Sequence, residues 1–340
     1  MAKHKITLIF EDGRSEVIES DESDTIYMAA LRNKVRLMTD CLEGACATCK
    51  AKVVSGQFSL DDYTDEALTD EEAKAGEALT CQMHAHTDCV IEFPYHSKIA
   101  FKSGPQTWDC YIKALTQVSS NVVRLDLCLK DESVLGPQFV SGQYVNLSVP
   151  GTDQSRSYSF ANGPQNNSEY TFYIKLLGRG VMSDFLRDQA GEGDPISMAG
   201  PYGHFYLRNP GQPLLMVSGG TGLAPMFSML EHLVRNQLTS ASVRLLYGVN
   251  HPDEFFNLSQ IEEYQSYFTD FQYQIISLSD AENWSGSLGY VTDLMKPEII
   301  SAAHQIYLCG PPPMIDAALA RLSEHSMGPN CIYFEKFVAS

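Results

Sequence analysis

Four of the nine cysteines stand in a pattern. Cys41, Cys46 and Cys49 are bunched with four and then two residues between them, and Cys81 follows alone downstream. Two irons bridged by two sulfides need four thiolates, drawn from one tight loop and one distant segment, and this spacing supplies them. Gly44 and the small Ala45 and Ala47 let the backbone pass close and turn its N–H groups toward the sulfurs. Such hydrogen bonds help set a cluster's reduction potential. The competing reading is a structural zinc site, but zinc ligands usually come as paired two-cysteine knuckles, a pattern this spacing lacks. The other five cysteines, Cys89, Cys110, Cys128, Cys309 and Cys331, are scattered through mostly apolar, strand-like segments. For most of them the expectation is a buried small hydrophobe.

A second group of residues could hold a flavin. In Arg156-Ser157-Tyr158-Ser159 an aromatic ring is available to stack on an isoalloxazine, a guanidinium to meet phosphate, and the Ser159 hydroxyl to hydrogen-bond the ring near its hydride-accepting nitrogen. Further on, Gly180-Val181-Met182-Ser183 opens a helix, where unpaired backbone N–H groups favour an anion. Each stretch alone has a bland reading, an exposed arginine on a strand or a serine cap without a ligand. The third group suits a dinucleotide. Gly219-Gly220-Thr221-Gly222-Leu223-Ala224-Pro225 lies between a strand and a helix, where glycines permit a tight turn and close approach of a pyrophosphate. It is not the G-x-G-x-x-G fingerprint, because Pro225 takes the place of the last glycine. Cys309-Gly310-Pro311-Pro312-Pro313-Met314 repeats the strand–turn–helix setting, stiffened by its prolines. After the strand ending at Val249 the chain reads Asn250-His251-Pro252-Asp253-Glu254, without lysine or arginine. Asp253 or Glu254 could bind ribose hydroxyls and repel a 2′-phosphate, which favours NADH over NADPH.

These groups need elements to hold them. Residues 4–10 and 15–19 read as a hairpin about Glu11-Asp12-Gly13, and residues 24–33 as a helix with Asp24 as its cap. The cysteine loop follows at 40–49, with strands from Ala51 to Val54 and from Cys89 to Phe93. The polar stretch from Ser97 to Gln106, with Gly104-Pro105, reads as a boundary. Alternating segments in 107–129, 143–149 and 170–177, with one helix near Ser183 to Gln189, predict a small antiparallel barrel. Beyond Asn209-Pro210-Gly211, apolar strands at 213–218, 243–249, 271–276 and 305–309 alternate with helical stretches, which predicts a parallel α/β sheet. Ile332-Tyr333-Phe334 reads as a last strand.

At 340 residues the chain is long enough for two or three cores. With 44% hydrophobic and 19% charged residues it has the composition of a soluble globular protein, and no apolar run approaches bilayer length. Met1-Ala2-Lys3-His4-Lys5-Ile6 does not read as a signal peptide, so a cytoplasmic location is expected, and with it thiols rather than disulfides. A net charge of −18 argues against nucleic acid or an anionic membrane as partner. Eight acidic residues and one lysine between Asp61 and Glu77 could guide docking to a basic protein surface, or merely keep the chain soluble.

Residues 1–96 resemble plant-type ferredoxins, which implies a β-grasp domain; where that family often has arginine and glycine, this chain has Leu42 and Ala47. The R-x-Y-S and G-x-x-S boxes resemble the ferredoxin–NADP reductase superfamily, in which Lys175 takes a place often held by arginine. That resemblance implies a role for Cys309 in shaping hydride-transfer geometry, and for Glu335 and Phe337 of Phe334-Glu335-Lys336-Phe337 beside the flavin and nicotinamide rings. Flavin accepts two electrons and releases them singly, so it belongs between a hydride donor and a one-electron cluster. The order of modules resembles the reductases of bacterial ring-hydroxylating dioxygenases of the benzoate, toluate and anthranilate type. This implies FAD rather than FMN, a role in aromatic catabolism, and a Rieske-type terminal oxygenase as partner. The expected domains are 1–100 for [2Fe–2S], 105–208 for FAD and 209–340 for NAD. A reductase of a diiron monooxygenase, of phenol or methane hydroxylase type, has the same modules. A non-catalytic iron–sulfur or zinc module would leave the flavin and nicotinamide motifs unexplained.

Overall fold

The structure is a computed structural model and describes residues 3–101, 106–164, 169–282, 284–325 and 331–337. Met1-Ala2 and the Gly104-Pro105 boundary lie outside the described residues. The chain divides into two compact units: Met1–Thr107 with Pro137–Val140 and Ala199–His204, and Trp108–Gly136 with Ser141–Met198 and Phe205–Ser340.

The N-terminal part runs β1 (Lys3–Phe10), β2 (Ser15–Asp21), α1 (Ile26–Arg32), β3 (Lys50–Ser55), β4 (Phe58–Leu60), α2 (Asp70–Lys74), β5 (Glu77–Leu79), β6 (Met83–Ala85) and β7 (Cys89–Phe93). Its sheet has the order β2-β1-β7-β3-β5, with β1 and β7 parallel, and β4 pairs with β6. Ile6, Leu8 and Phe10 recur at the strand period and join Ile26, Ala29 and Ala30 of α1 in one core. This is the expected β-grasp arrangement. The expected cap is displaced by one residue. Thr25 caps α1, its hydroxyl accepting from the Met28 N–H at 3.3 Å, because the Asp24 carboxylate is drawn into an ion pair with Arg32. The acidic tract holds the short α2, closed by a reciprocal capping box between Thr69 and Glu72.

The next sheet comprises β8 (Gln106–Gln117), β9 (Val122–Leu129), β10 (Tyr144–Ser148), β11 (Ser155–Ser159), β12 (Glu169–Lys175) and β13 (Pro195–Tyr202), in the order β11-β10-β13-β8-β9-β12. Its ends approach one another where the Ala161 N–H donates to the Thr171 carbonyl at 2.9 Å, making a near-closed antiparallel barrel. The helix α3 (Val181–Asp188) follows β12.

The last sheet is parallel throughout. Its strands are β14 (Leu214–Gly219), β15 (Val243–Val249), β16 (Phe271–Ser277), β17 (Ser287–Leu288), β18 (Gln305–Gly310) and β19 (Ile332–Lys336), in the order β17-β16-β15-β14-β18-β19. Between them run α4 (Leu223–Arg235), α5 (Leu258–Tyr267), α6 (Pro297–Ala302) and α7 (Pro312–Ser323). All six residues of β14 and of β18 are buried, as central strands covered on both faces must be. The chain leaves β14 toward β15 on one side and returns through β18 on the other. Their carboxyl ends therefore form a topological switch point, where such sheets bind ligands. No helix among the described residues is long and apolar enough to cross a membrane.

Candidate functional site

Two sites emerge, one in each unit. In the first, residues 40–49 loop from α1 to β3 and carry Cys41, Cys46 and Cys49, while Cys81 follows β5. The loop turns by left-handed backbone at Leu42 (φ 62°), Gly44 (φ 70°) and Ala47 (φ 57°). A side chain at Gly44 would place its Cβ 2.6 Å from the Asp62 carbonyl, so the close approach demands glycine. Ala47 accepts a left-handed conformation that an L side chain rarely adopts. The outcome is a set of donors aimed at sulfur. The N–H groups of Glu43 and Ala45 each lie 3.4 Å from Cys41 Sγ, and Gln82 Nε2 donates to the Leu42 carbonyl at 3.0 Å and to Cys81 Sγ at 3.6 Å. Gln82 was not foreseen, and nothing but its place beside Cys81 could have signalled it. Cys49 and Cys81 adjoin with sulfurs 3.3 Å apart. That is near the ~3.8 Å of two thiolates sharing one tetrahedral metal with bonds of about 2.3 Å. Cys46 also hydrogen-bonds with Cys41, so the thiols meet in two pairs, and among the described residues no three His, Cys, Asp or Glu side chains gather about one point. An all-thiol donor set with N–H groups on its sulfurs fits an iron–sulfur cluster.

The second site is a cavity of about 1010 Å³ at the switch point, walled by the barrel, the glycine turn after β14 and the last strand. It collects Arg156, Tyr158, Ser159, Gly180, Met182, Ser183, Gly219, Gly220, Thr221, Glu335 and Phe337 from the expected residues. Arg156 and Tyr158 reach it from β11. The guanidinium donates to the Ser155 carbonyl and to Gln154 Oε1, and burial raises the Tyr158 phenol above its usual range. The Ser159 hydroxyl donates to Glu335 Oε2 at 3.3 Å, across 176 residues of sequence. Glu335 is half-buried in the cavity wall, and its desolvation there pushes its carboxyl up to about 7 against the opposing effect of that hydrogen bond. The Ser183 hydroxyl accepts from the Leu177 N–H at 3.0 Å, which fixes its oxygen and leaves its O–H, with the backbone N–H groups at the start of α3, able to donate to an anion.

Other expected residues lie behind the wall. Gly222, Pro225, Cys309 and Gly310 do not line the cavity. The Cys309 thiol is fully buried, and a Cβ on Gly222 would come 2.2 Å from the Cys309 carbonyl, so these residues close-pack the two turns against each other. Pro311, Pro312, Pro313 and Met314 form the exposed face of the second turn. Of the two acids after β15, Glu254 lines the cavity and Asp253 does not. Asp253 is exposed and pairs with His251 at 2.6 Å, and its carbonyl accepts from the Ser120 N–H at 3.0 Å. Lys175 lines the cavity too, 3.4 Å from Glu254. Tyr144, Leu278, Tyr290 and Thr292 are among the other wall residues, without any motif that could have announced them. Glycine turns, helix starts, an aromatic ring and a half-buried acid share one cavity of dinucleotide size, as a flavin and a nicotinamide coenzyme require.

Three family models match the chain: a 2Fe-2S iron-sulfur cluster binding domain over residues 9–86, an oxidoreductase FAD-binding domain over 109–206 and an oxidoreductase NAD-binding domain over 216–319. The chain is 39% identical to the toluate 1,2-dioxygenase electron transfer component of Pseudomonas putida over 99% of both chains. It is 38% identical to the 2-halobenzoate 1,2-dioxygenase electron transfer component of Burkholderia cepacia over 98% of both. Among solved structures, the Amycolatopsis cytochrome P450 reductase GcoB is 27% identical and superposes with a TM-score of 0.63 over 98% of both chains. The protein is thus a member of the dioxygenase electron-transfer component family, reductases that take a hydride from NADH onto FAD and pass its electrons on through a [2Fe–2S] cluster.

Proposed function

We propose that this reductase serves a Rieske-type terminal oxygenase that dihydroxylates an aromatic carboxylate of the benzoate, toluate or anthranilate class. The observation that carries this reading is the near end-to-end likeness, at 39% identity over 99% of both chains, to a toluate 1,2-dioxygenase component. Residues 1–100, 105–208 and 209–340 serve as cluster, flavin and nicotinamide domains, in the cytoplasm.

The flavin, when bound, supplies the conversion of a hydride's paired electrons into single ones. The protein's own residues do the rest. Cys41, Cys46, Cys49 and Cys81 hold the cluster, and the loop N–H groups stabilise charge on its sulfurs. Arg156 and the start of α3 would hold the FAD diphosphate, Tyr158 would back the isoalloxazine, and Ser159 and Glu335, hydrogen-bonded to each other, would face the ring. The turn from Gly219 to Gly222 takes the NADH diphosphate at the start of α4, with Pro225 ending the approach and Gly310 and Cys309 fixing the facing turn. Glu335 and Phe337 close the ring end of the cavity. Residues 250–254 and 278–292, which supply its far walls, contain no lysine or arginine, and Lys175, the cation that reaches them from β12, is paired with Glu254, so a 2′-phosphate would meet that carboxylate and NADH is preferred.

The test is reconstitution. The purified reductase is mixed with terminal oxygenases encoded in neighbouring reading frames, and NADH consumption is followed with benzoate, toluates and anthranilate. The expected result is substrate-dependent NADH oxidation with a dihydroxylated product. Turnover with a diiron monooxygenase component, and none with any dioxygenase, would overturn the reading.

A further inference from the structure

Lys175, which stands where the reductase superfamily often has arginine, and Glu254, one of the two acids after β15, form an ion pair whose position gives it work. Lys175 ends β12 on the barrel side, a few residues before the anion-attracting start of α3. Glu254 ends the short 3-10 turn Pro252–Glu254 after β15. That turn is fixed. Proline opens it, the Glu254 N–H donates to the His251 carbonyl at 2.9 Å, and the Asp253 carbonyl is tied to the Ser120 N–H. Of its two acids, one therefore points to His251 at the surface and the other, Glu254, into the cavity. Lys175 Nζ meets Glu254 Oε2 at 3.4 Å, with side-chain exposures of 35% and 15%.

The charged residues lining the cavity are Arg156, Lys175, Glu254, Glu335 and Lys336. Arg156 hydrogen-bonds its strand neighbours, and Lys336 pairs with Asp316 at 2.6 Å outside the lining. Lys175 is thus the lining cation held by a lining carboxylate, in the same cavity as two helix starts that attract phosphate. A diphosphate entering there is drawn to the amine and competes with the carboxylate for its N–H donors.

We infer that Glu254 is a built-in competitor of the coenzyme's diphosphate for Lys175. The acid holds the amine in place and weakens the dinucleotide by the strength of the pair that the diphosphate has to break. Lys175 binds and Glu254 is a positioning residue. The inference rests on the reading of this cavity as the coenzyme site.

The test uses the flavin-loaded, cluster-loaded protein and ADP-ribose, which has the diphosphate but no nicotinamide, as competitor of NADH in ferricyanide reduction. Competitive inhibition of the wild type supports the coenzyme site itself; its absence rejects that site whatever the variants do. Glu254→Gln is expected to tighten ADP-ribose by about three- to fivefold, the worth of a partly exposed pair. Glu254→Asp, which keeps the charge but shortens the reach, is expected to do the same. Lys175→Met is expected to weaken ADP-ribose about fivefold and to abolish the gain from Glu254→Gln in the double variant. An unchanged or weaker affinity in Glu254→Gln overturns the inference. So does a wild-type affinity in Glu254→Asp, or an equal gain from Glu254→Gln with and without Lys175, since simple repulsion by the carboxylate gives both. Flavin content and thermal midpoint are checked for each variant; should Lys175→Met lose flavin, Glu254→Asp against Glu254→Gln still decides.

Discussion

The cluster loop and the dinucleotide cavity reach their chemistry by opposite routes. Three of the four proposed cluster ligands come from one stretch of nine residues, and the loop's own backbone supplies two N–H groups that face the Cys41 sulfur. The cavity takes its walls from the barrel, both glycine turns, the segment after β16 and the last strand, so that Ser159 finds Glu335 across 176 residues. A cluster site can be written into a short motif and then insulated from the rest of the fold. A hydride-transfer site needs groups aimed from several directions, and only a complete fold aims them. Damage to the loop is therefore expected to be local and complete, and damage to the cavity graded and coupled to folding.

The largest expected effect is Cys81→Ser. It removes a ligand from the Cys49–Cys81 pair and should abolish NADH-driven reduction of cytochrome c while leaving NADH-driven bleaching of the flavin intact. Loss of flavin reduction as well would show that the two sites are not separable. Next comes Glu335. Burial raises its carboxyl from 4.5 to about 7, so the folded state holds a proton that the unfolded chain has released. The stability this confers is fully present below pH 4.5 and is lost as pH rises toward and through about 7, a swing of about 3 kcal/mol. Urea unfolding at pH 5 and pH 8 should show that decline in the wild type and a smaller one in Glu335→Gln. Equal slopes would mean that the acid is not desolvated as described.

A third variant, Gly44→Ala, sharpens the contrast from the loop side. Its Cβ meets the Asp62 carbonyl in left-handed backbone, and the cost is expected to be about 2 kcal/mol together with a lower iron content, with FAD unchanged. Ser159→Ala removes one hydrogen bond to a half-buried acid and should slow flavin reduction by NADH about tenfold in stopped flow. The smallest effect is expected from Cys309→Ala. Its thiol is fully buried behind the cavity wall, so the change should cost about 1 kcal/mol of stability and slow hydride transfer only through the shape of the turn. A loss of rate greater than that of Ser159→Ala would place the thiol at the reacting atoms instead.

The same contrast explains what could be read from the amino-acid order. The cysteine spacing, the long alternating strands and the buried runs of β14 and β18 carry their own periodicity, and they announced the cluster, the barrel and the parallel sheet. The pieces β4, β5 and β6, three residues each, are too short to carry a period, and α2 hides in an acidic tract until Thr69 and Glu72 are seen to cap it. Asp24 and Thr25 are both good caps, and the ion pair to Arg32 that decides between them is a matter of tertiary contact. In the cavity, Gly219 and Gly220 could be found from the turn they make. Leu278 and Tyr290 could not, since only the side-by-side order of β14, β15 and β16 brings their loop to this wall. For the same reason Asp253 looked as good as Glu254 until the turn fixed which of them faces inward.

The central claim is that electrons from NADH reach the cluster only by way of the flavin. Anaerobic stopped-flow mixing of the loaded protein with NADH tests it most directly, followed at separate flavin and iron–sulfur wavelengths and repeated on protein stripped of FAD but retaining iron. The account predicts flavin bleaching first, cluster bleaching after it, and no cluster reduction in the stripped protein. Cluster reduction by NADH at an undiminished rate without flavin would contradict it.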